Sequence, residues 1–144
     1  MATKKNKHWK IVRTVILNAS AEKVWDMVGG FFTLQLWHPE IEKTEIATDQ
    51  TSMTKILRVL TFPGVPTNTE ELLFLDNKNF CYTYKSYAGI WGETVKDYFS
   101  EIRVIEVEVG KKCMVQWKGQ FLYTEDTLTE FYENGFANLV KMFN

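Results

Sequence analysis

From Ile41 to Tyr123 the chain reads as one strand after another, and this succession limits the possible folds more than any other feature. The segments are IEKTEIAT, MTKILRVLTF, TEELLFLD, FCYTYKSY, TVKDYFSEIRVIEVEV and KCMVQWKGQFLY. They are rich in β-branched and aromatic residues and partly alternate apolar with polar positions. The turn signals DQTS, PGVP, DNKN, AGIWGE and GKK part them. An earlier run, HWKIVRTVILNA, residues 8–19, supplies a seventh strand. Helices are expected only at two points on this antiparallel run, which argues for an α+β fold.

The first helical point follows the first strand. Ser20 is placed to cap AEKVWDMV, and Glu22 faces the positive end of that helix. Gly29-Gly30 is expected to end it in the left-handed cap conformation. FFTLQLW predicts a second short helix, stopped at Pro39, because the residue before a proline is pushed out of helical space. The second point is the C-terminus. Thr127 and Glu130 have capping-box spacing, opening a helix from Thr127 to Phe143. Leu128, Phe131, Tyr132, Gly135, Leu139 and Met142 form its apolar stripe. At about 1.5 Å per residue the helix spans about 25 Å, comparable to a strand of about eight residues. A sheet this long coils, and one helix can fill its concave side.

The length of 144 residues fits a single domain, 1–144, with residues 1–7 as a flexible tail. The 17 basic and 18 acidic side chains nearly cancel, which removes any global attraction to nucleic acid or to an anionic membrane. No apolar run reaches the roughly 20 residues of a membrane helix, and no signal peptide is expected. Cys81 and Cys113 lie in separate strands without CxxC or Cys/His spacing. Reduced thiols, a cytoplasmic location, no metal and no cofactor are therefore expected, in a monomer or weak dimer. Ten Phe, six Tyr and five Trp are more rings than one small core needs. They either thicken that core or line a cavity.

Alternation selects the inward residues. In the last strand Cys113, Val115, Trp117, Gly119 and Phe121 share the apolar face. In DYFSEIRV the inward set is Tyr98, Ser100, Ile102 and Val104, and in FCYTYKSY it is Phe80, Tyr82, Tyr84 and Ser86. Buried phenols need partners. Either they bond within a filled core, or they face a ligand or water. In TEELLFLD both faces are apolar, so alternation alone leaves Glu70 inward or at a solvent edge. Arg58 alternates with Ile56, Leu60 and Phe62, and reads as an inward partner for Glu70 or as a surface guanidinium. His38 reads as a structural residue at a helix end. Gly135 interrupts an apolar helix at about 1 kcal/mol against alanine, which suits close approach of a bulky neighbour or ligand. There is no Ser/His/Asp order, no cysteine beside a base and no phosphate loop, so covalent and phosphoryl-transfer chemistry find no support.

The segments ASAEKVWDMVGGFFTLQLWHPEI, EELLFLD, DYFSEIRV, VQWKGQF and ENGFANLVKMF, in this order, resemble the SRPBCC superfamily. This superfamily is also called START-like or birch-pollen-allergen-like, and the similarity is to its polyketide cyclase/dehydrase-like branch. The resemblance runs from about Lys10 to the end. It implies a helix-grip fold: a curved seven-stranded antiparallel sheet around a long C-terminal helix, enclosing a cavity for a small hydrophobic molecule. FPGVPTNTEELLFLDN is further similar to the gate loop and following strand of the plant abscisic-acid receptors. That similarity implies a gate at Pro63, Gly64, Val65 and Pro66, and an inward Glu70. The latch motif of those receptors is replaced by AGIWGE, so Gly89, Ile90 and Trp91 become the second gate loop. Trp37 falls near the place of the hormone-binding lysine, and abscisic acid itself is not expected.

The expected ligand-binding set is Trp37, Arg58, Glu70, Tyr82, Tyr84, Tyr98, Trp117 and Gly135. The function expected is binding or carriage of a lipid, polyketide or aromatic molecule. The alternative is a polyketide cyclase or dehydratase with Glu70 or Tyr98 as general acid or base.

Overall fold

A computed structural model describes residues 5–47, 54–86 and 95–144. The long first strand β1 (Lys7–Leu17) leads into α1 (Ala21–Val28) and a single 3₁₀ turn at Leu34–Leu36. Then come β2 (Lys43–Ala47), β3 (Ile56–Thr61), β4 (Asn68–Asp76), β5 (Cys81–Ser86), β6 (Lys96–Glu108) and β7 (Lys112–Tyr123). The chain closes with α2 (Thr129–Phe143). The seven strands form one antiparallel sheet in the order β1-β7-β6-β5-β4-β3-β2. The curved α+β helix-grip architecture is therefore present. Consecutive strands from β2 to β7 pair with their sequence neighbours, and β1 closes on β7 from Lys7↔Tyr123 to Leu17↔Cys113.

Register shifts bend the sheet at three places among the described residues: between Leu72 and Phe74, between Lys96 and Phe99, where Asp97 has φ +53°, and between Glu106 and Glu108. The first puts Leu73, Phe74 and Leu75 in succession at the surface. The tight turn after β3 uses Gly64 at φ +74°, a conformation that only glycine takes without strain.

Three local expectations are corrected. The second short helix shrinks to three residues, because its C-cap Trp37 (φ −128°) has already left helical space ahead of Pro39. Gly29 caps α1 at φ −78°, not in the left-handed region. Its lack of a side chain serves packing instead, since a Cβ there would overlap the Trp25 indole. Finally, α2 has no Thr127 capping box. Asp126 Oδ1 accepts from the Leu128 and Thr129 amides at 3.1 and 3.0 Å, while the buried Thr127 hydroxyl has no hydrogen-bond partner. A carboxylate near the positive helix end, reaching two amides, wins over a hydroxyl. Ser20 does cap α1, accepting from the Lys23 amide at 3.2 Å.

Helix α2 lies along the inner face of the sheet and buries Phe131, Tyr132, Gly135, Phe136 and Leu139. Phe136 replaces Met142 on the expected stripe; Met142 is 42% exposed. Each large side chain so buried contributes about 1.5–3 kcal/mol through loss of apolar surface from water. Cys81 and Cys113 are buried free thiols. Among the described residues no helix is long and apolar enough to cross a membrane.

Candidate functional site

The register Arg58↔Glu70↔Ser86 sets three inward polar residues side by side on β3, β4 and β5. Arg58 is fully buried and Glu70 nearly so. The guanidinium donates Nε–H and Nη2–H to Glu70 Oε1 at 3.0 and 2.8 Å, and Nη1–H to the Phe31 carbonyl at 2.8 Å. The rings of Phe31 and Tyr84 cover it at 4.2 and 4.7 Å. Burial pulls the Arg58 pKa down, but Glu70 and the Tyr82 and Tyr84 phenols push it further up, so the cation persists. Burial pushes the Glu70 carboxyl above its usual value, and Arg58 offsets this only in part. Among the described residues, Glu70 Oε2 takes no hydrogen bond, and the buried Ser86 hydroxyl also has no partner.

The inward phenols are bonded to one another. Trp117 Nε1–H donates to the Tyr84 and Ser100 hydroxyls at 3.1 and 3.0 Å. The hydroxyls of Tyr84, Tyr98 and Tyr132 follow in series at 3.1 and 2.5 Å. The series ends on Ser100 at 3.1 Å and on the Lys118 carbonyl at 3.4 Å, to which Ser100 also donates at 2.6 Å. An indole N–H only donates and a carbonyl only accepts, so the series is polarised from Trp117 toward Lys118. Burial raises the pKa of all three phenols. Gly119 makes room for this arrangement: a Cβ there would overlap the Tyr132 hydroxyl and sit 3.3 Å from Tyr98.

Trp37 and His38 occupy the opposite wall, against α2. His38 stacks on Phe131 with ring centroids 3.9 Å apart. One ring nitrogen, Nε2, lies 2.7 Å from the Phe131 carbonyl, and the other, Nδ1, accepts from the Glu40 amide at 3.2 Å. These partners fix the neutral Nε2–H tautomer. Burial lowers the His38 pKa to about 4, and the Phe131 carbonyl pulls it slightly back. Trp37 packs on Trp117 at 5.3 Å, and its buried indole N–H has no partner. Gly135 admits both residues: a Cβ there would stand 2.6 Å from His38 Cδ2 and 3.1 Å from Trp37 Cζ3. Gly135→Ala, which in an exposed helix gains about 1 kcal/mol, is therefore expected to lose about 1–2 kcal/mol here through overpacking. Urea denaturation measures the sign.

Between these walls lies a cavity lined by Leu34, Leu60, Phe62, Asn68, Glu70, Tyr84, Tyr98, Leu128 and Phe131. Its volume is about 10 Å³, close to the room one water molecule needs. The larger depressions are outside. One of about 250 Å³ lies over the convex face between Lys10, Phe99 and Lys118, and another of about 660 Å³ runs between α1 and β4 past Trp25 and Phe32.

Of the expected site residues, the structure gathers Arg58, Glu70, Tyr82, Tyr84, Tyr98 and Trp117 on the inner face, with Trp37 and Gly135 across from them. Pro63, Gly64, Val65 and Pro66 form an exposed turn directly after Phe62. Gly89, Ile90 and Trp91 lie outside the described residues. Sequence reasoning missed Tyr132, Phe131, Phe31 and Asn68 as parts of the site. Tyr132 and Phe131 were on the expected stripe of the last helix; nothing local distinguished them from plain core.

A curved antiparallel sheet gripping a C-terminal helix around a small polar-walled interior defines the SRPBCC, or START-like, class. Within it the chain belongs to the family described as polyketide cyclase / dehydrase and lipid transport, whose sequence profile matches residues 8–143. No curated protein matches the chain significantly. Among solved structures, the protein XoxI from Bacillus cereus is 26% identical, with 93% of this chain and 94% of that one covered at a TM-score of 0.79. The Zhui aromatase/cyclase from a Streptomyces species is 13% identical, covering 94% and 93%, at a TM-score of 0.77. A truncated norcoclaurine synthase from Thalictrum flavum is 18% identical, covering 99% and 97%, at a TM-score of 0.66. The last two share the fold.

Proposed function

We propose that the protein binds or carries a small hydrophobic molecule, of lipid, polyketide or aromatic type, between the sheet and α2. The observation that carries this reading is the buried Arg58–Glu70 pair, with Glu70 at the wall of a cavity lined mostly by aliphatic and aromatic side chains. Apolar residues of similar volume would stabilise the fold as well or better, because removing two charges from water costs several kcal/mol per ion before pairing repays it. Such a pair suits orientation of a ligand's polar group. The family's description, which includes lipid transport, supports the same reading.

At about 10 Å³ the interior is closed, so a ligand enters by displacing side chains. Phe62 and Leu128 are the natural plugs: both line the cavity, and each stands at the end of an element, before the Pro63–Pro66 turn and before α2. Phe62 packs against Phe131, with ring centroids 5.8 Å apart. Turnover through Tyr98 finds less support, since its hydroxyl is already engaged on both sides and its pKa is well above the usual value.

The test is a titration with 1-aminoanthracene, a neutral fluorescent probe, combined with native mass spectrometry of the purified protein. Saturable, blue-shifted emission that strengthens in Phe62→Ala is expected. Absence of saturable emission in both proteins, with nothing co-purifying, contradicts the reading.

A further inference from the structure

The polar groups of the interior are not equally free. Three N–H groups of Arg58 are engaged by Glu70 and Phe31, aromatic rings cover its plane, and it stands behind Glu70, away from the cavity wall. The phenols at the wall are linked in series and end on a backbone carbonyl. Among the described residues, Glu70 and Ser86 stand side by side: both Arg58 bonds fall on Oε1 of the carboxylate, which only accepts while ionised, and the Ser86 hydroxyl has no partner, while the unpartnered Trp37 indole N–H lies on the opposite wall. Glu70 and Arg58 also cancel in charge at 2.8 Å. A ligand carboxylate would meet the Glu70 carboxylate first, with Arg58 behind it and already paired. A ligand ammonium would gain Glu70 but stand close to Arg58. A neutral hydroxyl can donate to Oε2 without either cost.

We propose that the interior selects uncharged hydrophobic molecules bearing a hydrogen-bond donor, a phenol or an alcohol, and rejects carboxylates. This inference rests on the cavity reading above and adds the chemical class of the ligand. Three molecules of one shape separate the two: 4-propylphenol, 4-propylanisole and 4-propylbenzoate, titrated at pH 7 against the ¹⁵N-labelled protein. The phenol is expected to bind at least tenfold more tightly than either of the others. In Glu70→Gln, Arg58 loses its counter-charge, and the preference shifts toward the benzoate by at least threefold. If that variant does not fold, the wild-type series decides alone. Benzoate equal to or tighter than the phenol, or anisole equal to the phenol, overturns the proposed selectivity and leaves the cavity standing. If none of the three moves the signals of interior residues, the cavity reading itself fails, and the selectivity with it.

Discussion

Glu70→Leu is expected to lower the unfolding free energy by about 3–5 kcal/mol, and Arg58→Met by less, while the double variant stays close to wild type or exceeds it. The asymmetry follows from chemistry. Arg58 is fully buried between Glu70, the Phe31 carbonyl and two aromatic rings, and a guanidinium does not give up its proton. Removing Glu70 therefore strands a cation in an apolar wall. Removing Arg58 strands a carboxylate, but one whose pKa burial already raises, so it neutralises itself by taking a proton. The Arg58→Met loss should accordingly shrink as pH falls toward 5. With both charges gone, no desolvated ion remains and the wall closes with apolar side chains. Urea denaturation of the three variants at pH 7 measures this. Additive losses in the double variant would contradict the account of the pair.

His38 is expected to make the fold sensitive to acid by about 2–3 kcal/mol between pH 7 and 4.5. Its native pKa of about 4 lies below the unfolded value of 6.5. In that window the unfolded chain takes up a proton that the native chain refuses. The stabilisation is thus fully present above about pH 6.5 and lost as pH falls toward 4. The structural reason is local: protonation would place a new donor on Nδ1 against the Glu40 amide, inside the stack with Phe131. Glu70 works the other way, because a raised carboxyl binds its proton more readily in the native state. Comparing wild type with His38→Gln at both pH values isolates the histidine, since Glu70 contributes to both. A pH dependence equal in the two proteins would show that His38 does not titrate as its surroundings require.

The sheet was legible because its signal is repetitive: six segments bounded by turn residues, then one capped amphipathic helix. Strand parity also gave the inner face of β5, β6 and β7 correctly, down to Tyr82, Ser100 and Trp117. What the sequence left open was what parity cannot decide. β4 is apolar on both faces and carries a bulge after Leu72, so the directions of Glu70 and of the residues beyond it depend on pairing with β3 and β5. Ser20 capped α1 as its position suggested, but at α2 two adjacent residues could serve, and Asp126, not Thr127, receives the Leu128 and Thr129 amides. Cavity size was illegible altogether. It depends on how far Phe62, Leu128 and Phe131 reach inward, and the count of aromatic residues fits a full or a hollow interior equally.

On the proposed function, the interior beside Glu70, and not an outer groove, receives the ligand. Four tryptophans provide the readout, since Trp37 and Trp117 face the interior, Trp25 lies along the α1 groove and Trp9 packs near the start of β1. In ¹H–¹⁵N spectra titrated with 4-propylphenol, saturable shifts of the Trp37 and Trp117 indole N–H signals are expected, with Glu70 and Phe131 amides moving alongside. Shifts confined to Trp25 or Trp9, or interior signals that stay in place at every concentration, would contradict it.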